Sequence, residues 1–266
     1  MNNKTKNQKI FEIISISFIT ITLLIYYLPI FSVVLFSFNS SHSLTNFTGF
    51  SLQWYKQLFL DAELINTILM TFLVAVIATI SSTIIGTLAA LAISRNINKK
   101  VRDMLLNMNN IPVVNPEVIT AVGLFLFFIF LGIERGYLTL ILSHIAFCTP
   151  YVIISVYPKI RNLDPNLPEA ALDLGATPLQ AITKVIIPQI QTAVLAGASM
   201  AFTMSFDDFV VSYFTAGANA TNISIYLYNA RQKIPMTINP LSTIILGVIL
   251  VKIAYDAIKA KRKVVE

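Results

Sequence analysis

Three carboxylates stand where a charge is costly. Asp207 and Asp208 are neighbours in "TMSFDDFVVSYF" (203–214), and Glu117 follows Pro116 in "NPEV", each inside a long run of otherwise uncharged residues. An ionised side chain at the middle of a bilayer costs about 2.5–3.5 kcal/mol on insertion scales, so an acid placed there is a functional candidate by default. The chemistry it offers is compensation of positive charge: carboxylates supply the opposite charge, and aromatic faces add cation–π attraction. Adjacent residues of a helix point about 100° apart. Asp207 and Asp208 therefore cannot both face one point, and one is expected to line a path while the other bonds a neighbouring helix or a partner chain. A helix break, with Asp207 capping a new segment, is the competing reading. Glu117 has two readings as well, a path residue beside the carbonyl that Pro116 frees or a structural pair with a basic group on another chain.

Five weaker candidates accompany these acids. Ser205 can donate to one of the aspartates or to a passing solute, or serve as a small packing residue. Trp54 suits either a cation contact or an anchor at the membrane–water interface. His144 fits a hydrogen-bonded contact between helices better than a ligand, and Tyr226 and Tyr228 could touch an external protein. The single cysteine, Cys148, excludes an intrachain disulfide and a cysteine-based zinc site. No phosphate-binding G-x-x-x-x-G-K-[ST] motif, no H-E-x-x-H and no His/Cys cluster occurs, so neither ATP hydrolysis by this chain nor a metal or other cofactor is expected.

The elements that must position these residues are membrane helices. Of 266 residues 56% are hydrophobic and only 12% charged, about half the charge of an ordinary soluble domain. An all-α, polytopic membrane protein with one integral domain is expected, with six spans at about 12–37, 65–94, 112–132, 137–157, 190–214 and 241–258. The run 13–38 is too long for a signal-peptide core and lacks a small-residue cleavage site, so it reads as a retained first helix. Lys56, Arg135, Arg231 and Lys233 fall on one side of this arrangement, leaving fifteen of the 19 Lys and Arg on the other. That asymmetry predicts both termini in the cytoplasm, and it explains the net charge of +6 without nucleic acid. On this count Asp207 and Asp208 lie in the outer half of the fifth span and Glu117 in the inner half of the third, so acids at two depths could pass a cation inward.

Two connections are more than spacers. In the outer segment 39–64, "FSLQWYKQLF" predicts a short helix capped by Ser51, with Leu52, Tyr55 and Phe59 on one face. The inner loop "RNLDPNLPEAALDLGATPLQAITKVIIPQI" predicts two short helices. Gly175 ends the first, Pro178 starts the second and Pro188 opens the next span, which together form a cytoplasmic knob.

The knob resembles the "EAA" loop of ATP-binding-cassette importer permeases. Glu169, Ala170, Ala171, Gly175 and Pro188 match that pattern at its spacing, with Val185 and Ile187 replacing its Ile and Leu. "SFNSS" (37–41), "WY" (54–55), "SHIAFCTP" (143–150) and "SFDDFVVS" (205–212) narrow the likeness to the second-permease branch of the spermidine/putrescine importers. The resemblance implies a type I importer permease fold in the bacterial plasma membrane. It also implies a heterodimer with a second permease, a pair of ATPase subunits, one of which receives the 165–188 loop in a cleft, and an extracytoplasmic polyamine-binding protein. The acids, with Trp54 and Ser205, then belong to a path for a polycation. The alternatives are the same machinery with another cargo (another organic amine, iron(III) or a phosphonate) or a self-contained transporter driven by an ion gradient.

Overall fold

The computed structural model describes residues 6–95, 98–232 and 235–265. Among them there are helices and no strand, only an isolated bridge between Asn39 and Phe50. The long helices are α1 (Lys6–Phe36), α3 (Ala62–Ser94), α6 (Tyr137–Arg161), α9 (Ile187–Phe206) and α12 (Ile238–Val265). The shorter ones are α2 (Gln53–Leu60), α4 (Lys99–Val114), α5 (Glu117–Phe130), α7 (Leu167–Asp173), α8 (Pro178–Gln180), α10 (Val210–Thr215) and α11 (Ile223–Asn229). Five helices are long and apolar enough to cross a bilayer, or six spans if the bent pair α4 and α5 counts as one.

Two of the six expected spans are broken. The third was expected to begin at about 112, with its backbone interrupted at Pro116. Instead α4 starts at Lys99, under a cap in which the Asn98 side chain accepts from Lys100 N and Val101 N, and the chain turns through 104° before α5. Pro116 is the cause. A residue before proline is forced out of the helical region, and Asn115 accordingly sits at φ −70°, ψ 146°. The fifth span likewise ends at Phe206 and resumes at Val210. No proline lies between those two residues, so that break has another origin.

The contacts divide the chain into two units, residues 66–231 and residues 1–65 with 232–266. In the larger unit α6 packs along α9 at close range. Small residues permit it: a Cβ on Gly197 would come within 3.2 Å of Val152 Cα, and one on Gly86 of α3 would meet Val152 Cβ at 2.7 Å. Helices in lipid gain little from burial alone, so close backbone approach and buried hydrogen bonds take over. Ser155 Oγ donates to Ala193 O at 2.9 Å and Cys148 Sγ to Ala201 O at 3.4 Å.

In the smaller unit α12 packs on α1 and α2. The segment after α1 is wound around the buried side chain of Asn39. Its Nδ2 donates to Ser43 O and Asn46 O, and its Oδ1 accepts from Thr48 N, each at 2.9 Å. Ser51 Oγ accepts from Gln53 N, but Leu52 is the residue at the cap position of α2. The buried face of α2 carries Trp54 and Leu58, whereas Leu52 and Phe59 are exposed. The residues expected to share a face are thus not the buried ones; the indole of Trp54 turns inward and donates to Asn39 O at 2.6 Å.

Candidate functional site

The two breaks meet. Helix α10 lies along α5 and α6, and the Phe125 and Phe214 rings of α5 and α10 are 6.2 Å apart. Glu117 is the first residue of α5, where the exposed peptide N–H groups of a helix start favour an anion. Its carboxylate interacts with that of Asp208 and more weakly with that of Asp207. The expectation of acids at two separate depths therefore gives way to a single acidic cluster. The count that placed Glu117 low assumed a straight span beginning at 112, whereas residues 99–114 form a helix of their own.

The two aspartates differ sharply. Asp207 ends α9 at φ −102°, ψ 5°, and its side chain is exposed. Asp208 has a side chain 0% exposed. Its Oδ1 accepts from Val211 N at 3.2 Å, and its Oδ2 accepts from Ser212 N and Ser212 Oγ, both at 2.7 Å. Asp208, not Asp207, therefore caps the segment that follows. Two further side chains complete the knot. His144 of α6 places Nδ1 2.6 Å from Ser205 Oγ and Nε2 3.0 Å from Ser212 Oγ and 3.4 Å from Asp208 Oδ2. Asn222 donates to Ser212 Oγ at 2.7 Å and to Asp208 O at 3.1 Å. His144, Ser205, Ser212 and Asn222 are all buried. His144 is thus the helix–helix contact its sequence context indicated, and Ser205 spends its hydroxyl on that histidine rather than on an aspartate.

Burial takes Asp208 and Ser205 out of direct reach and leaves Asp207 and Glu117 open. A cavity of about 130 Å³ adjoins Glu117, lined also by Asn115, Thr120, Tyr151 and Met204. Three aromatic rings that no spacing in the sequence groups also come together, beginning with Phe209, next to Asp208 in the chain. Phe209 and Tyr228 have centroids 4.8 Å apart, and Tyr213 is 5.5 Å from each of them. Arg231 stacks on Tyr228 at 4.3 Å, so this surface already accepts one guanidinium.

Trp54 belongs to the smaller unit. Its indole N–H is consumed by Asn39 O and its ring meets the His42 edge at 4.5 Å. With Gln57 and Asp61 these rings line a cavity of about 600 Å³.

The inner loop folds as two short helices. Helix α7 ends at Gly175, whose φ of +85° only glycine adopts without strain. Ala176 N donates to Ala171 O at 3.0 Å and Gly175 N to Leu172 O at 2.9 Å, the double closure of a Schellman cap. Thr177 and Gln180 then cap α8 reciprocally. Residues 181–186 form a π-helical turn leading into Pro188 in the first turn of α9. Ala171 faces inward, while Glu169 and Ala170 face out, and Leu174 and Leu179 are 89% and 70% exposed. Apolar side chains that exposed on a polar loop are a contact surface in search of a partner.

Comparison with known proteins agrees with this geometry. Residues 82–264 match the family described as "Binding-protein-dependent transport system inner membrane component". The Escherichia coli K12 putrescine transport system permease protein PotI is 35% identical over 230 residues, 84% of this chain and 82% of its own. The spermidine/putrescine transport system permease protein PotC of the same organism is 33% identical over 238 residues, 89% of this chain and 90% of its own. Among solved structures, a bacterial ABC transporter involved in import of the acidic polysaccharide alginate superposes with TM-score 0.73 at 16% identity, covering 98% of this chain and 99% of that one. That likeness concerns the fold alone. The broken third and fifth spans, the capped inner knob and the sequence matches lead to one conclusion: the chain belongs to the binding-protein-dependent transport system inner membrane components, the permeases of ABC importers.

Proposed function

We propose that this chain is the second permease of an ATP-driven polyamine importer. One observation carries the reading: two helix breaks, far apart in sequence, bring Glu117, Asp207 and Asp208 together beside the Phe209, Tyr213 and Tyr228 rings. Three acids and an aromatic surface suit a flexible polycation that must shed water in transit. The relatives named for putrescine and spermidine support the same cargo class. Anionic cargo would leave the cluster uncompensated. A gradient-driven carrier would have no use for the exposed leucines of the inner knob.

In this mechanism Asp207 and Glu117 touch the cargo's ammonium groups, Asp208 and Ser205 hold the break in shape, and Trp54 serves the outer segment. A second permease completes the path. An extracytoplasmic polyamine-binding protein delivers the cargo, as the neighbouring alginate transporter's complex with a substrate-loaded periplasmic protein illustrates for that system. Of a pair of ATPase subunits, one receives residues 165–188 in a cleft, with Glu169 offered to a basic group, and ATP-driven closure reaches α9 through Pro188. Both termini lie in the cytoplasm, as the distribution of Lys and Arg favours.

The test is uptake of labelled spermidine into liposomes holding the chain with its partners. ATP should be required. Asp207→Asn should lower uptake about 10-fold or more, the loss of one charge-assisted contact, with assembly intact. ATP-independent uptake, or full uptake by both Asp207→Asn and Glu117→Gln, would overturn the reading.

A further inference from the structure

The buried knot around Asp208 has a hydrogen-bond count that closes in only one way. The Oδ1 of Asn222 accepts from Ile225 N at 2.9 Å, which fixes its amide so that Nδ2–H points at Ser212 Oγ. Ser212 has one proton, and Asp208 Oδ2, 2.7 Å away and already accepting from Ser212 N, is its acceptor. Ser212 Oγ can then only accept from His144, so Nε2 carries a proton, and the 3.4 Å approach of Nε2 to Asp208 Oδ2 becomes attractive. At the other ring nitrogen, Ser205 Oγ has His144 Nδ1 as its hydrogen-bond partner among the described residues. A neutral Nδ1 accepts the Ser205 proton. A protonated Nδ1 would leave that proton buried with nowhere to go. The opposite tautomer would be worse, because it also aims the Nε2 lone pair at a carboxylate.

We propose that His144 is a positioning residue: as the neutral Nε2–H imidazole it ties Ser205, at the end of α9, to Ser212 and Asp208, at the start of α10, and so holds the break that presents Asp207. The knot keeps one net negative charge, that of Asp208. This charge is buried and touches no cargo, yet it sits close enough to act on Glu117. The acidic cluster therefore joins one sealed carboxylate, Asp208, to two exposed acids, Glu117 and Asp207. This inference rests on the importer reading for its consequence in transport but not for its chemistry.

Two measurements test it separately. The chain has two histidines, His42 and His144. Nitrogen-15 histidine labelling of the full chain, assembled with unlabelled partners in lipid nanodiscs at neutral pH, gives two ring signals, and His42→Gln identifies them. His144 should show one protonated nitrogen, Nε2. An imidazolium pattern or the Nδ1–H tautomer overturns the assignment, whatever the cargo proves to be.

The second measurement is ATP-driven uptake by variants that co-purify with their partners. His144→Ala should lose about 10-fold or more, as expected when a reacting or binding group is displaced by an ångström. His144→Gln, whose amide can supply the N–H at the Nε2 position, should recover most of it. His144→Asn, which reaches only Ser205, should not. Equal loss in the Gln and Ala variants, or full uptake by the Ala variant, overturns the positioning role. If His144→Ala fails to assemble, the contrast between Gln and Asn decides. Failure of the importer reading itself would show as absent uptake by the unmodified chain, with the ring signals unaffected.

Discussion

Two spans break in this protein, and they break for different reasons. The interruption at Asn115–Pro116 is local. Proline lacks an N–H and excludes its predecessor from helical geometry, so the bend of 104° follows from covalent structure whatever surrounds it. The interruption at Asp207–Phe209 has no such agent. Its three residues could continue a helix, and they are held out of one by Asp208 folding back onto Val211 N and Ser212 N, with His144 and Asn222 bonding to that knot from α6 and the start of α11. The first break is stiff because the backbone has no alternative. The second is stiff only while a set of buried partners stays complete.

The contrast can be broken most severely at Asp208. Asp208→Ala removes the acceptor of three donors and leaves His144 facing an empty site. Each buried donor left without an acceptor costs about 1–3 kcal/mol, so with three stranded the variant should melt far below the unmodified chain and assemble poorly. An unchanged melting temperature would mean that the second break is as locally determined as the first.

Asn222→Ala should cost less, about 1–3 kcal/mol, because it strips Ser212 Oγ and Asp208 O of a donor but leaves the carboxylate capped. Asp207→Asn is the matching control. Its side chain is exposed and unneeded for the knot, so thermal stability should hold while uptake falls; a stability loss comparable to that of Asp208→Ala would erase the distinction between the two acids.

At the other break, Pro116→Ala restores an N–H and helix-compatible geometry. Spin labels on Met104 and Phe127 should then move apart as the bend relaxes, with transport impaired and melting little changed, whereas an unaltered distance would show that tertiary contacts hold this bend too. The smallest effect is expected in the inner knob. Gly175→Ala forces a side chain to φ +85°, worth about 1–2 kcal/mol of local strain with no clash. It should weaken ATPase-coupled uptake several-fold without affecting the two breaks.

Much of the architecture was open to inspection in the chain itself, and particular residues show why. The spans follow from hydropathy, since a bilayer demands about 20 apolar residues per crossing. Gly175, Pro178 and Pro188 announced the knob because positive φ and a missing N–H act on their own neighbours alone. Proline at 116 likewise marked its place, although the sharpness of the bend and the separate helix before it were not foreseen. At α2 helical spacing grouped Leu52, Tyr55 and Phe59 but did not say which face is buried; the contact of Trp54 with Asn39 O decides that.

What the linear order of residues determined by itself was everything governed by short-range forces: apolar length, charge asymmetry, caps, proline breaks and the presence of acids at membrane depth. The tertiary structure alone decided which acid is open and which is sealed. Asp207 and Asp208 are chemically identical neighbours, and their order alone does not say which of them takes the Val211 and Ser212 amides. The difference is made by His144, 64 positions upstream, and Asn222, 14 positions downstream. A buried carboxylate persists only where donors surround it; here Val211 N, Ser212 N and Ser212 Oγ supply them, and His144 and Asn222, from elsewhere in the fold, hold Ser212 in place.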